Sequence, residues 1–172
     1  MEFTNDGLDI STIPRAQEAV FTSVDRRYYN VMLWHKAILW MFILTAAAIA
    51  IIFIERLQSP LWVAVITATL ALAILINLRL SYLAFLNKAF AVREHDVIYR
   101  EGWLVKSLHV IPFNRIQHCS IDSGMIERWF GLTTIKIYTA GGNDSDIVIP
   151  GLTSEQSSAL RELIIQRNNL DD

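Results

Sequence analysis

The sequence is poor in cysteine and in charged residues, and both shortages exclude classes of protein. Cys119 is the single cysteine among 172 residues, so an internal disulfide and a cysteine-rich zinc site are ruled out. Charged residues make up 19% of the chain, against about 25% in an ordinary soluble domain. The net charge of −2 offers no general positive field for nucleic acid, so we expect no nucleic-acid partner.

The apolar residues, 53% of the chain, are concentrated in two uncharged runs over residues 37–54 and 61–78. A helix rises 1.5 Å per residue, so each run spans roughly 27 Å, close to the hydrocarbon thickness of a bilayer. The six residues between the runs predict a tight helical hairpin. Neither run carries an acidic residue or a proton-relay pattern, which favours an anchor over a transporter. This composition excludes an ordinary soluble globular protein.

Basic residues mark the outer ends of the hairpin: Arg26, Arg27 and Lys36 before the first run, and Arg79, Lys88 and Arg93 after the second. The connecting loop holds only Arg56, which is offset by Glu55. Positive charge favours the cytoplasmic side of a membrane. We therefore predict a multi-pass membrane protein with both termini in the cytoplasm.

Beyond the hairpin the apolar pattern changes to period two, which is typical of β-strands. It predicts six strands and a short helix over 125–130, with the strands at 88–93, 96–101, 104–113, 116–122, 132–139 and 145–149. A final amphipathic helix is capped by Thr153 or Ser154, and its apolar face carries Leu160, Leu163 and Ile164. The predicted fold is a membrane α-hairpin followed by an α+β domain: a bent antiparallel β-sheet or barrel capped by a C-terminal α-helix.

Three regions follow from these patterns. Residues 1–30 form a cytoplasmic N-terminal segment, residues 31–86 the transmembrane hairpin, and residues 87–172 the cytoplasmic domain. The N-terminal segment is acidic with scattered apolar residues, and two interpretations of it stay open. It is either a loose tail or a segment whose apolar residues dock on the C-terminal domain.

Four short motifs stand in order behind the hairpin: IPFNRIQH at 111–118, GMIERWFG at 124–131, TAGG at 139–142 and IPGL at 149–152. Together with the hairpin they resemble a bacterial family of membrane-flanked, pleckstrin-homology-like (PH-like) domains. The resemblance covers roughly residues 31–167. It implies a protein of the bacterial cytoplasmic (inner) membrane with a PH-like fold and no established enzymatic activity, and it supplies no ligand. A PH fold has seven strands, one more than the sequence pattern shows.

Arg115, Gln117 and His118 form the most polar cluster in these motifs and are candidate binding residues. The planar guanidinium of Arg115 suits a lipid phosphate or a partner carboxylate. The alternative is a structural role, capping strand ends or pairing with Glu127. Phosphoinositide-binding PH domains place basic residues around the first hairpin loop, but here residues 93–96 read REHD, with two acids. Trp129 and Phe130 are expected to pack in the core.

No residue set predicts catalysis, a metal site or a cofactor. His118 and Cys119 are neighbours on a predicted strand and therefore face opposite ways, so they do not share a metal ion. The sequence favours a non-enzymatic, membrane-anchored interaction or scaffold module that assembles with itself or with another membrane protein of the same family. The alternative is a binder of anionic phospholipid through basic residues near the membrane, namely Arg79, Lys88, Arg93 and Arg100.

Overall fold

The computed structural model describes residues 19–139 and 147–171, with side chains described as far as residue 167. Two sequence predictions extend beyond these residues: the N-terminal segment, as far as residue 18, and the sixth strand, at residues 145 and 146.

Two long helices form the hairpin. α1 spans Arg27–Phe53 and α2 spans Pro60–Leu86, with a 3₁₀ turn at Glu55–Gln58 between them. Pro60 occupies the first turn of α2, where its missing N–H costs no hydrogen bond. Both helices are long and apolar enough to cross a membrane, and the apolar window of each is unburied by the rest of the protein. Each helix extends beyond its apolar run on the domain side, so α1 begins four residues before the predicted boundary at residue 31.

In the part of the chain that the structure describes, seven strands form two antiparallel sheets, and the predicted fold class is confirmed. The first sheet has the order β1 (Thr22–Ser23), β2 (Ala89–Val92), β3 (Asp96–Glu101) and β4 (Ser107–Pro112). The second sheet has the order β5 (Ile116–Asp122), β6 (Leu132–Thr139) and β7 (Ile147–Thr153). A short helix, α3 (Met125–Trp129), joins β5 to β6, and α4 (Ser154–Asp171) follows β7.

The seventh strand comes from the N-terminal segment. Thr22 and Ser23 pair with Phe90 and Ala89 of β2, and Val24 beside them is buried. The Val24 N–H also donates to the Lys88 carbonyl at 3.4 Å. A two-residue strand leaves no alternating pattern in the sequence, which explains why the pattern showed only six strands.

β7 is longer than predicted, because Pro150 and Gly151 lie inside the strand instead of ending it. Its pairing with β6 shifts between Thr133 and Ile135, so that β7 carries one extra residue, a β-bulge. Gly151 has a φ of +70°, which glycine adopts without the strain that a side chain would bring. The bulge directs the Gly151 carbonyl to the Asp25 N–H at 2.9 Å and so ties β7 to the start of the hairpin.

The core lies between the two sheets and under α4. Its fully buried members include Val97, Phe113, Ile135 and Ile149, and α4 contributes Ile164. Thr153 caps α4 as one of the two predicted residues, because its hydroxyl accepts from the Gln156 N–H at 3.2 Å. The Gln156 side-chain oxygen accepts in turn from the Thr153 N–H at 3.0 Å, which completes a capping box.

Two sequence predictions were wrong in this region. β4 begins at Ser107 instead of residue 104, because Gly102 adopts a φ of +89° and residues 102–106 form an exposed turn. Trp129 does not pack in the core: it is 68% exposed at the end of α3. α3 is only five residues long, and it leaves Met125 and Trp129 largely exposed.

Candidate functional site

β4 forms an edge of the first sheet, with β3 as its neighbouring strand in the part of the chain that the structure describes. Ile111 is buried on the core side opposite Val97 of β3, whereas His109, opposite Tyr99, is exposed. The alternate residues, Leu108 and Val110, point away from the core and are 37% and 41% exposed. An edge strand with apolar side chains presents backbone N–H and C=O groups that can pair with another strand.

A groove of about 610 Å³ runs along this edge. It is lined by residues 108–112 of β4, by Arg115, and by Thr139 and Ile147 at the adjoining ends of β6 and β7. Arg115 ends a short 3₁₀ turn, Phe113–Arg115, which the buried Phe113 ring holds against the core. The groove therefore combines a strand edge, apolar side chains and one exposed guanidinium.

The alternative structural role for Arg115, a pairing with Glu127, is not found. The Glu127 carboxylate accepts instead from the Gly124 N–H at 2.8 Å and from the Thr134 hydroxyl at 2.7 Å. Within the described residues, Arg115 has no ion pair or hydrogen bond through its side chain.

Gln117 and His118 do not line the groove with Arg115. Both are exposed on β5, which belongs to the second sheet. The His118 ring stacks on Tyr138 of β6, with ring centroids 4.3 Å apart and planes 14° from parallel. This stacking holds the imidazole on the surface of the second sheet, so His118 does not join Arg115 in the groove.

The basic residues predicted near the membrane differ in how far their charge is occupied. Arg79 is exposed on α2, one residue after the apolar run. Lys88 forms an ion pair with Glu101 at 2.8 Å, and Arg93 forms one with Asp96, its neighbour across the first hairpin turn. The Arg100 guanidinium lies 4.6 Å from the centre of the Phe21 ring, a cation–π contact. Of these four, Arg79 alone is both exposed and without such a partner in the described chain.

A polar cluster that the sequence analysis missed surrounds Lys88. The Lys88 ammonium donates to the Tyr99 hydroxyl at 3.1 Å as well as to Glu101, and Tyr99 donates to Glu101 at 3.3 Å. Burial raises the pKa of Tyr99, with Glu101 adding to the effect. Burial alone would raise the pKa of Glu101, but the hydrogen bond and charge of Lys88 outweigh it, so the pKa is lowered. The register of the β2–β3 hairpin is the signal that could have placed Lys88 beside Glu101.

The same cluster lines a cavity of about 390 Å³ that Tyr28, His109 and Glu127 help to enclose. Its charged groups are already paired or hydrogen-bonded to each other or to backbone, which is typical of a structural network. No group of three histidine, cysteine or acidic residues among the described residues is placed to hold a metal ion. Cys119 is half-buried, and desolvation raises the pKa of its thiol, so it has little thiolate character.

Two apolar helices long enough to span a membrane, followed by two antiparallel sheets and a C-terminal helix, define a membrane protein that carries a PH-like domain. Residues 37–168 match the family model described as bacterial PH domain, so the chain belongs to this family. The match begins at the first residue of the predicted first span and extends into α4.

Two curated proteins of Bacillus subtilis (strain 168) are similar to the chain. It is 30% identical over 83 residues to the UPF0699 transmembrane protein YdbS, and the matched segment covers 48% of this chain and 50% of YdbS. It is 27% identical over 94 residues to the UPF0699 transmembrane protein YdbT, covering 49% of this chain and 19% of YdbT. The chain thus spans half or less of the relatives it matches. No solved structure matches it.

Proposed function

We propose that the chain is a non-enzymatic, membrane-anchored interaction module at the cytoplasmic face of the bacterial inner membrane. It assembles with a second copy of itself, or with another membrane protein of the same family, through the edge of β4. The observation that carries this proposal is the exposed β4 edge, where Leu108 and Val110 stand beside an open groove. A strand from a partner can extend such a sheet, gaining main-chain hydrogen bonds and side-chain contacts.

The membrane anchor strengthens the argument from the edge. Two spanning helices confine the domain to a thin layer beside the bilayer, which raises its effective concentration toward other anchored domains. Weak edge contacts then suffice for assembly. Orientation with both termini in the cytoplasm follows from the basic residues at the domain side of the hairpin, such as Lys36 and Arg79.

The alternative, binding of anionic phospholipid, draws its support from Arg79. This residue is exposed just beyond the second apolar run, at the depth where headgroup phosphates lie. Lys88 and Arg93 favour this alternative less, because acidic neighbours already hold their charges.

Native mass spectrometry of the full chain released from its own membranes tests the proposal. We expect a discrete oligomer, or a complex with a second membrane protein carrying the same domain. Val110→Lys places a charge on the edge and should convert the complex to monomer. Ile165→Lys is the matched control, because Ile165 is similarly exposed, at 44%, but lies on α4.

Two results would contradict the proposal. A monomer from wild-type membranes would show that the chain does not assemble. An oligomer that survives both Val110→Lys and Leu108→Lys would show that assembly does not use β4. A monomer that carries anionic lipid, and loses it in Arg79→Gln, would support the alternative function instead.

A further inference from the structure

α3 carries an apolar surface that the core does not explain. Met125 and Trp129 are 65% and 68% exposed, and their spacing of four residues places them on one side of the helix. Contiguous apolar patches on a domain surface, rather than single apolar side chains, mark a contact with a partner or a membrane. We call Met125 and Trp129 the α3 patch.

The α3 patch lies beside the first spanning helix. The Trp129 ring packs edge-to-face on Trp34 of α1, with ring centroids 6.5 Å apart. A narrow apolar cleft of about 320 Å³ separates the two helices, and Ile38 lines it together with the patch. Ile38 already belongs to the uncharged run, and Trp34 precedes that run by three residues, roughly 4.5 Å along the helix axis. The patch therefore sits at the depth where α1 enters the membrane.

Several contacts fix α3 at this position. The Arg27 guanidinium at the start of α1 donates to the Phe130 carbonyl at 3.2 Å. At the other end, Glu127 accepts from the Gly124 N–H and from Thr134 of β6. Gly131, with a φ of +66°, ends the helix. The depth of α3 is thus set by the fold of the domain and by α1 together.

We propose that α3 is an interfacial anchor, with Met125 and Trp129 seated in the headgroup region of the leaflet where α1 begins. The lipid bilayer is the occupant that the observations favour, because the patch continues the lipid-facing surface of α1 through Trp34 and Ile38, which are 49% and 41% exposed. Tryptophan is enriched at this depth in membrane proteins, since its ring is apolar and its N–H is polar. Arg128, exposed on the same helix, meets phosphates there.

This anchor would hold the domain in a fixed orientation relative to the bilayer. The hairpin alone ties the domain down at one place, and α3 adds a second contact. The α3 patch and the β4 edge lie on different elements and share no residue. One can fail while the other stands.

Depth-dependent fluorescence quenching tests the proposal. In a Cys119→Ser background, Met125→Cys is labelled with an environment-sensitive fluorophore, and the full chain is placed in vesicles of phosphatidylethanolamine and phosphatidylglycerol. We expect a blue-shifted emission, quenched several-fold more by nitroxide lipids than at the control position Ile165→Cys. Shallow nitroxides should quench more strongly than deep ones.

Trp129→Cys repeats the measurement at the second patch position and guards against a local defect at residue 125. An emission like that of an aqueous label at both positions would overturn the proposal. A blue-shifted emission without lipid quenching would also overturn it, because the patch would then face protein.

Discussion

Ile52 in α1 is 66% exposed, whereas Ile135 in β6 is completely buried, although both are isoleucines in regular secondary structure. In the hairpin the surroundings are lipid tails, which are as apolar as the side chain, so exposure costs nothing. In the domain the surroundings are water, and burial between the sheets provides the stability. The same residue type therefore has a different energetic role in each region.

Some large apolar side chains of the domain are exposed as well. Exposure of Val110 and Trp129 to water is unfavourable, whereas exposure of the hairpin side chains to lipid is not. Trp129 lies against α1, and Val110 lies along the open edge of β4. The turn between β3 and β4 is a third such place, because Leu104 and Val105 are 85% and 74% exposed there.

The largest expected effect comes from truncating the two isoleucines. Ile135→Ala leaves a cavity in the core, and we expect the free energy of unfolding to fall by about 2–5 kcal/mol. Ile52→Ala faces lipid and should change the stability little. Thermal unfolding of the full chain in detergent micelles, followed by near-ultraviolet circular dichroism, measures both. An equal loss at Ile52 would contradict the comparison and show that another helix covers α1.

A second prediction concerns the junction between the hairpin and the domain. A Cβ atom at Gly151 would lie 2.6 Å from the Cβ and Cγ atoms of Tyr28, at the start of α1. Gly151→Ala therefore adds a collision to the left-handed backbone strain, which alone costs roughly 1–2 kcal/mol. Gly131→Ala is the matched control: its φ is +66°, but the nearest atom, Nη1 of Arg27, is 3.8 Å away.

We expect Gly151→Ala to lower the melting temperature clearly more than Gly131→Ala, in the same thermal unfolding assay. The difference between the two variants measures how firmly α1 is packed against β7. Equal losses would mean that α1 moves aside freely and that hairpin and domain are joined only loosely.

Much of the fold could be predicted from the sequence, because two strong periodicities carry it. Uncharged runs of membrane length predicted the hairpin, and alternation predicted the six strands behind it. β1 could not be predicted, because its two residues pair with β2 only after the chain has crossed the membrane twice. The bulge at Gly151 was missed for a similar reason: a proline–glycine pair usually ends a strand, whereas here Leu152 and Thr153 still pair with β6.

Less of the candidate site could be predicted. Arg115 was chosen from its motif, and it does line the groove, but the edge character of β4 depends on sheet order, which one sequence does not reveal. Trp129 was assigned to the core because large aromatic residues are usually buried. Its exposure follows from the shortness of α3 and its position beside α1, which are tertiary facts.

The smallest expected effect concerns an ion pair of the domain, because the spanning runs contain no charged residues. Glu101 pairs with Lys88, and its pKa lies below its ordinary value of 4.5. A carboxyl group with a lowered pKa stabilises the fold above its unfolded pKa, and this contribution is lost as the pH falls through the folded pKa. The charge of His109 and the hydroxyl of Tyr99 act on Glu101 in the same direction.

Glu101 is partly exposed, so we expect Glu101→Gln to cost about 1 kcal/mol at neutral pH. Thermal unfolding of both proteins from pH 7 into the acid range should show this difference shrinking, whereas Glu162→Gln, exposed on α4, should show none. A gap between Glu101→Gln and wild type that stays constant with pH would mean that shape rather than charge holds the cluster together.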